Sequence, residues 1–280
     1  MSNECEWGAT PRWTYRPSAH EADWLNEALS DWLSDGTLTD VVFAVRGGKE
    51  ASVYACRGGA PDHGLVAAKV YRPRKFRELS NDALYREGRG LLDDQGHGVD
   101  ARDRRMARAV RRGTRRGKQA SHVSWVMHEV AALRAVHEAG GHVPEVFTAN
   151  PRAVLMDFVG DEDGAAPTLQ RLRPSPARAR HLYDQLLGDI QVMLEVGLVH
   201  GDLSPYNVLV DDDEAVIIDL PQAVDVARNP HAARLFLRDV ERICTAPSLG
   251  RPESDPRRLA ADIWDRVFDS GGVPNGPGAF

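Results

Sequence analysis

The chain has 280 residues and a formal net charge of −6, with 42% hydrophobic and 27% charged residues. This composition is that of an ordinary globular protein and excludes a fibrous or wholly disordered chain. The acidic balance argues against a protein coated along its length by nucleic acid, although it permits local basic patches. The three cysteines form no close pair, so we expect free thiols rather than a disulfide framework or a zinc site.

No run of about 18 apolar residues occurs in the sequence, which predicts a protein without a membrane span. The start of the chain has neither the basic residues nor the apolar core of a signal peptide. We therefore expect a cytoplasmic protein that does not contact a membrane.

The amino-terminal stretch 1–37 combines an arm with a helix. Residues 1–18 show no periodicity and predict an extended arm. From Ala19 to Leu33 the apolar residues recur at helical spacing, which predicts a short helix packed on the next part of the chain. This stretch is too small to form a winged-helix domain.

A β-hairpin is predicted from Leu38 to Ala55, with Gly47 and Gly48 at its tip. Glycines at a tip let backbone amides approach a phosphate without obstruction by side chains. The same dipeptide is also an ordinary hairpin connection, so the pattern alone leaves both interpretations open.

The next predicted strand, 65–71, carries Lys69 inside an apolar run. A buried ammonium needs an anionic partner, which nucleotide phosphates and a carboxylate would supply. A lysine of an edge strand that extends its amine to solvent is the competing interpretation.

The segment 78–121 is the least regular part of the chain and predicts a flexible, basic insert. From 100 to 118 it holds nine basic residues against two acidic ones. Such a segment is either a solvated loop or a binding surface for RNA or other phosphate groups, and the sequence does not decide between them.

Alternating helices and strands follow this segment. The spacing of apolar residues predicts a helix over 125–138 with Glu129 beside its apolar face, and then two strands within 143–159. Further helices are predicted over 182–194, 232–244 and 257–268, and the proline- and glycine-rich residues 269–280 predict a flexible tail.

The stretch from Leu198 to Asp219 contains most of the candidate chemistry. Two apolar runs flank a polar loop that presents Asp202 and Asn207, and Asp219 ends the second run. A carboxylate can accept the proton of an attacking hydroxyl, while an asparagine oxygen and a second carboxylate can hold Mg²⁺ against nucleotide phosphates. This pattern predicts a phosphoryl-transfer site.

At these residues the chain resembles the RIO family of atypical protein kinases, in the subfamily without an amino-terminal winged helix. The loop reads His200-Gly201-Asp202 with Ser204 where ordinary protein kinases carry a lysine, and Asp219 is followed by Leu220-Pro221-Gln222. The hairpin tip Gly-Lys-Glu-Ala-Ser-Val-Tyr, from Gly48, resembles the RIO nucleotide loop, with Ser52 at a position where that loop commonly has asparagine.

The resemblance implies an α+β, bilobal protein-kinase-like fold with ATP in its cleft. The small β-rich lobe would span 38–157, including the insert 78–121, and the helical lobe 158–268. The implied ATP-binding residues are Gly47, Gly48, Lys49, Ser52, Val53, Lys69 paired with Glu129, Met156 as gatekeeper, and the backbones of Asp157 and Val159. The implied catalytic residues are Asp202 and Asp219, and the implied metal ligands are Asn207 and Asp219.

Three functions compete. The first is a RIO-type serine/threonine kinase or ATPase that uses ATP and Mg²⁺, acts on a protein substrate or on itself, and forms an aspartyl-phosphate at Asp219. The second is a small-molecule phosphotransferase of the aminoglycoside or choline type. The third is a nucleotide-switched module that binds RNA or an assembling ribosome through 100–118.

Overall fold

The computed structural model is α+β, as the sequence predicted, and its described part comprises residues 12–48, 50–59, 64–72, 84–85, 87–99, 104–250 and 255–269. The chain divides into two compact units, of which the first is Met1–Glu78 with Phe147–Gly164 and the second is Leu79–Val146 with Ala165–Phe280. Residues 1–11 of the predicted arm, position Lys49 and residues 270–280 of the predicted tail lie outside the described residues.

The first unit is built on a mainly antiparallel sheet with the strand order β1-β2-β3-β4-β6-β5. Its strands are β1 (Arg12–Trp13), β2 (Leu38–Gly47), β3 (Ala51–Gly58), β4 (Leu65–Tyr71), β5 (Val146–Asn150) and β6 (Ala153–Asp157). Part of the predicted arm is therefore a short strand, because β1 pairs in parallel with β2.

Helix α1 (Ala19–Ser34) covers one face of this sheet, as its apolar spacing predicted. Its buried side chains pack against alternate residues of the strands, including Tyr54, Val66 and Leu155, in one hydrophobic cluster. A capping box fixes the start of the helix, because Ser18 accepts from the Glu21 amide and Glu21 accepts from the Ser18 amide.

The second unit contains five helices among the described residues: α2 (Arg104–Arg111), α3 (Arg115–Glu138), α4 (Pro176–Glu195), α5 (Ala232–Cys244) and α6 (Pro256–Asp269). Short strands accompany them: β9 (Leu198–Val199) pairs with β12 (Val224–Asp225), and β10 (Val208–Asp211) pairs with β11 (Glu214–Ile217). Strands β7 (Gly160–Asp161) and β8 (Gly164–Ala165) form a hairpin where the two units meet along the chain. The units place 79–146 with the carboxy-terminal helices, whereas the sequence analysis assigned this stretch to the β-rich lobe.

Part of the segment expected to be irregular, 78–121, is a helical hairpin. Arginine, alanine, lysine and glutamine form helices readily, but a chain rich in arginine shows no long apolar stripe from which a helix would be predicted. A Cβ on Gly117 of α3 would lie 2.1 Å from the Ala109 carbonyl oxygen of α2, so glycine is needed for the two helices to touch. Thr114 joins them by accepting from the Gly117 amide and donating to the Ala109 carbonyl.

No described helix has both the length and the apolar character that crossing a bilayer requires. Of the three cysteines, Cys56 and Cys244 are free and buried, as predicted, and Cys5 lies outside the described residues.

Candidate active site

The loop 200–207 follows strand β9 in the second unit and carries two of the candidate site residues. Gly201 has a φ of 82°, and a Cβ there would lie 2.6 Å from the Gln222 carbonyl oxygen. The backbone conformation and the close approach therefore both require glycine at this position. Arg238 of α5 donates to the Gly201 carbonyl, which fixes the peptide between Gly201 and Asp202.

The buried carboxylate of Asp239, on α5, holds this loop. It accepts from the Gly201 amide at 2.7 Å and from the Leu203 amide at 3.2 Å. Burial is the dominant influence on this group and raises its pKa to about 7, although the two amides, Arg238 and Arg242 favour the charged form. The amides on either side of Asp202 are thus fixed by one carboxylate that water does not reach.

His200 fixes the loop from the opposite direction. The Asp202 amide donates to Nδ1 of His200 at 3.3 Å. The imidazole proton therefore resides on Nε2, which donates to the Ile218 carbonyl at 3.2 Å. Burial lowers the His200 pKa, which keeps the ring neutral and preserves this pattern. One imidazole thereby connects the loop of Asp202 to the strand end that precedes Asp219.

Asn207 and Asp219 are brought together by the backbone. The Ile218 amide donates to the Asn207 carbonyl at 2.9 Å, and the side-chain amide of Asn207 donates to the Asp202 carbonyl at 3.0 Å. This assignment leaves the side-chain oxygen of Asn207, the atom that a cation would take, as its acceptor. Asp219 is exposed and has a φ of 70°, an uncommon conformation for a residue with a side chain.

This pair suits a cation that a nucleotide also holds. Mg²⁺ is commonly bound by one or two protein ligands together with waters and phosphates. Within the part of the chain that the structure describes, no group of three or more His, Cys, Asp or Glu side chains could hold a metal ion. One carboxylate and one amide oxygen fit a magnesium nucleotide better than a free structural metal.

Asp202 pairs with an arginine that the sequence analysis did not identify. Arg242 of α5 places Nη1 2.7 Å from the Asp202 Oδ1, and both side chains are partly exposed. Ser204, at the position of a lysine in ordinary protein kinases, brings no positive charge to the loop. The cation beside the candidate base therefore comes from a different element, 40 residues away in sequence.

In the first unit, the glycine-containing tip of the β2–β3 hairpin is tight. The Gly48 amide donates to the Ala51 carbonyl at 2.8 Å. The Ser52 hydroxyl is buried and accepts from Arg72, whose Nη2 would also lie 3.0 Å from a Cβ at Gly47. The tip is therefore packed directly on a guanidinium, and Arg72 is a second residue that the sequence analysis missed.

The register of the sheet collects the other candidate residues of this unit on one face. Val53 of β3 lies opposite Lys69 of β4, and Ala67, two residues before Lys69, lies opposite Met156 of β6. Because side chains alternate along strands, this face is opposite to the one covered by α1. Ala67 also lies opposite Ala55, so two small side chains form a flat apolar patch beside the amine.

Lys69 is buried at 7% exposure and lies in a central strand, which excludes the edge-strand alternative. Its amine lies 5.7 Å from the centre of the Tyr71 ring. Asp157 and Val159 follow Met156 and are partly buried. In the second unit, Glu129 of α3 is 1% exposed, and its pairing with Lys69 stays a prediction, as do the nucleotide contacts.

The missed residues of the second unit share a cause. Asp239, Arg238 and Arg242 belong to a helix that the sequence predicted correctly, but they reach the loop only through tertiary packing. The spacing of apolar residues in α5 shows which side is buried and does not show which polar side chain the packing orients toward Gly201. The one local signal that was available is the pair Arg238-Asp239 inside an apolar helical stretch. Charged residues are rarely buried without partners, so such a pair indicates a tertiary contact.

Comparison with known proteins identifies a matching family and several similar chains. The family model for the RIO domain matches residues 95–248, more than half of the chain. The chain is 31% identical over 219 residues to the RIO-type serine/threonine-protein kinase Rio1 of Haloferax volcanii, covering 77% of this chain and 66% of that one. It is 33% identical over 245 residues to Rio1 of Methanocaldococcus jannaschii, covering 86% and 74%.

A relative from a eukaryote is longer. The serine/threonine-protein kinase RIO1 of Caenorhabditis elegans is 29% identical over 246 residues, which cover 85% of this chain and 43% of the relative. The chain therefore spans from less than half to about three quarters of the length of these relatives.

The raised pKa of Asp239 predicts how stability depends on pH. The folded protein holds this proton more tightly than the unfolded chain, in which an aspartate titrates near pH ~3.9. The stabilising contribution is then complete below that value and is lost as pH rises through about 7. Asp239→Asn does not titrate, so the free energy of unfolding of the wild type minus that of the variant should fall by roughly 2 kcal/mol from about pH 5 to about pH 8.

Urea denaturation of both proteins across this pH range measures the difference directly. The pH dependence that both proteins share cancels in the subtraction. A difference that is constant, or that rises with pH, would contradict the assigned burial.

Proposed function

This chain belongs to the RIO family, and we propose that it is a serine/threonine kinase that uses ATP and Mg²⁺. The observation that carries the proposal is the loop 200–207, in which Asp239 and His200 fix the backbone on both sides of Asp202. A general base must be held within hydrogen-bond reach of the hydroxyl that it deprotonates, and a loop fixed in this way supports that role.

The roles of the residues follow from their chemistry. Asp202 accepts the proton of the acceptor hydroxyl, and Asn207 with Asp219 would hold Mg²⁺. When bound, Mg²⁺ neutralises phosphate charge as the phosphoryl group is transferred. Lys69, with Glu129, positions the phosphates, and the hairpin tip at Gly47 and Gly48 covers them.

We assign the adenine to the sheet face that carries Val53, Ala55, Ala67 and Met156. Small and branched apolar side chains on neighbouring strands offer a flat surface to a planar base. The backbones of Asp157 and Val159 would supply polar contacts at its edge, as the resemblance implies. The resemblance also implies ATP contacts for Ser52 and for Lys49.

A transfer through an aspartyl-phosphate is part of this proposal. Asp219 is exposed, and its left-handed backbone is the kind of strained conformation that concentrates at functional sites. In this route the Asp219 carboxylate attacks the γ-phosphorus, the bond to the ADP oxygen breaks, and water or a hydroxyl later takes the phosphoryl group. An ATPase reaction and autophosphorylation are both outcomes of the same intermediate.

The relatives' names favour a protein kinase over a small-molecule phosphotransferase, because all three are called serine/threonine-protein kinases. The residues after Asp219 agree with this, since Asp225 lacks the preceding glycine that the aminoglycoside and choline enzymes usually carry. Cytoplasmic localisation stays an expectation from the sequence.

Substitutions of Asp202 and Asp219 should have different effects on MgATP binding. Asp202→Ala should abolish phosphoryl transfer but change the affinity for MgATP little, because Asp202 is assigned to proton transfer. Asp219→Asn removes a negative charge from the magnesium site and should weaken MgATP binding at least tenfold, roughly 1.4 kcal/mol. Calorimetric titration with MgATP measures both affinities, and incubation with γ-labelled ATP measures transfer.

Asp213→Asn is the matched control. Asp213 lies in the exposed turn between β10 and β11 and pairs with Arg178, so its loss removes the same charge outside the site. Wild-type MgATP affinity in Asp219→Asn would refute the metal assignment. Absence of any hydroxylamine-sensitive label on the wild type, or hydroxylamine-sensitive label that persists in Asp219→Asn, would exclude the aspartyl-phosphate at Asp219.

A second candidate function, RNA binding, is favoured by the helical hairpin of α2 and α3. Seven exposed basic side chains lie on its residues 104–118, which include no acidic residue: the basic set is Arg105, Arg108, Arg111, Arg112, Arg115, Arg116 and Lys118. A compact helical pair holds these charges closer together than a solvated loop would, which suits a phosphate backbone.

Salt dependence tests this candidate. For a single-stranded RNA oligonucleotide, the log of the binding constant should fall linearly with the log of salt concentration, by about 0.7 per phosphate contacted. Replacing Arg108, Arg111 and Arg112 by glutamine should make this slope shallower by about 2. Three exposed arginines of the second unit outside the hairpin, Arg173, Arg180 and Arg257, serve as the control set when they are changed in the same way. An equal change of slope in both sets would remove the hairpin as the binding surface.

A further inference from the structure

A cavity of about 370 Å³ lies beside the Asp202 carboxylate, within the second unit. Its lining includes Asp202, Ser204 and Tyr206 of the loop, Gln170, and Arg242 and Thr245 at the end of α5. Ligand pockets in proteins have volumes of about 300–1,000 Å³, so this cavity lies at the small end of that range. The nucleotide assignment does not use this cavity.

Tyr206, which forms one wall of this cavity, has an unusually exposed side chain. At 55% exposure it is the one large apolar side chain exposed to this degree among the described residues. It stands in the 3₁₀ turn Pro205–Asn207, four residues after Asp202, and the proline before it restricts the backbone. Exposed aromatic side chains are enriched where proteins contact peptides and other proteins.

The charged wall is the Asp202–Arg242 pair. The contacts of Arg242 with other described residues use Nη1, which reaches the Asp202 Oδ1 at 2.7 Å and the Leu203 carbonyl at 3.5 Å. A guanidinium carries five N–H donors, so it can bind a second carboxylate without giving up the first. Arg242 is about 39% exposed at its side chain and borders the cavity, where such a second anion would enter.

We propose that this cavity is the acceptor site and that it binds a serine or threonine flanked by an acidic residue of a peptide. The proposal rests on the proposed kinase function and adds the class of substrate. A hydroxyl within about 2.6–3.2 Å of the Asp202 carboxylate can lose its proton to it. The neighbouring acidic side chain then meets Arg242, which lies against the same carboxylate and offsets its repulsion of the substrate.

The transfer step is balanced without a further reactant. The acceptor proton moves to Asp202, the acceptor oxygen bonds to the phosphorus of the transferred group, and the bond from that phosphorus to its leaving oxygen breaks. The leaving oxygen belongs to the Asp219 carboxylate when transfer passes through the aspartyl-phosphate, and to ADP when transfer is direct. Arg242 is a specificity residue in this account, because it binds a substrate group that does not react. Tyr206 provides the apolar surface on which the peptide backbone lies.

Two peptides test the proposal, one with a single serine between alanines and one with glutamates on both sides of that serine. With MgATP, the wild-type chain should phosphorylate the acidic peptide with a kcat/KM about tenfold higher, mainly through KM. Arg242→Gln should bring the ratio of the two kcat/KM values close to one. Arg242→Lys keeps the charge but loses the planar fork, and should give an intermediate ratio.

Arg180→Gln is the matched control, because Arg180 forms an arginine–aspartate pair with Asp184 on α4, outside the cavity. It should leave the ratio at its wild-type value. A ratio near one in the wild type, or a preference that survives Arg242→Gln, would overturn the acceptor site.

A binding measurement separates failure of this site from failure of the kinase function. Peptides with alanine in place of the serine cannot be phosphorylated, and fluorescence anisotropy gives their dissociation constants. Acidic preference that depends on Arg242, without transfer to either serine peptide, would support the site and refute the kinase function. Equal binding of the two alanine peptides would refute the site, as would preferential binding of free O-phosphoserine or of an RNA oligonucleotide at Arg242.

Discussion

The carboxylate of Asp239 holds the backbone on which the candidate chemistry depends. It accepts hydrogen bonds from the amides of Gly201 and Leu203, the residues on either side of Asp202, and so fixes the backbone there. Burial disfavours the charged carboxylate and raises its pKa, whereas the two loop amides favour the charged form. The amides therefore have to stay in place, because a buried carboxylate without hydrogen bonds is strongly unfavourable. The burial of this carboxylate of α5 and the positioning of the loop therefore depend on the same hydrogen bonds. The loop has little secondary structure of its own.

The same helix determines what lies next to the candidate base. Asp239 and Arg242 are three residues apart, so one face of α5 supplies both the group that holds the loop and the cation that pairs with Asp202. His200 completes the arrangement from the other side, where its neutral ring connects the loop to Ile218. Through these contacts the separation of Asp202 from Asn207 and Asp219 is set by buried hydrogen bonds rather than by exposed side chains.

Sequence reasoning succeeded where a residue, in its sequence context, is compatible with few structural positions. The position of Lys69 is an example, because a lysine inside an apolar run lies either on an edge strand or in the interior of the sheet, and the structure shows it buried in a central strand. Its anionic partner stays a prediction. The glycine requirement at Gly201 and the roles of Asp239 and Arg242 could not be predicted, since each depends on a backbone or side chain far away in sequence. The helices α2 and α3 were missed over 104–121 because helix propensity without an apolar stripe resembles a solvated loop.

The most direct test of the account is the rate of a single phosphoryl transfer in Asp239→Asn, measured with saturating MgATP under conditions in which circular dichroism shows a folded protein. One acceptor oxygen cannot serve both loop amides as the carboxylate does, so Asp202 should move relative to its acceptor. Small displacements of a catalytic group reduce rates strongly, and we predict a loss of at least about tenfold with MgATP affinity changed much less. A folded Asp239→Asn protein that transfers phosphate at the wild-type rate would contradict the account.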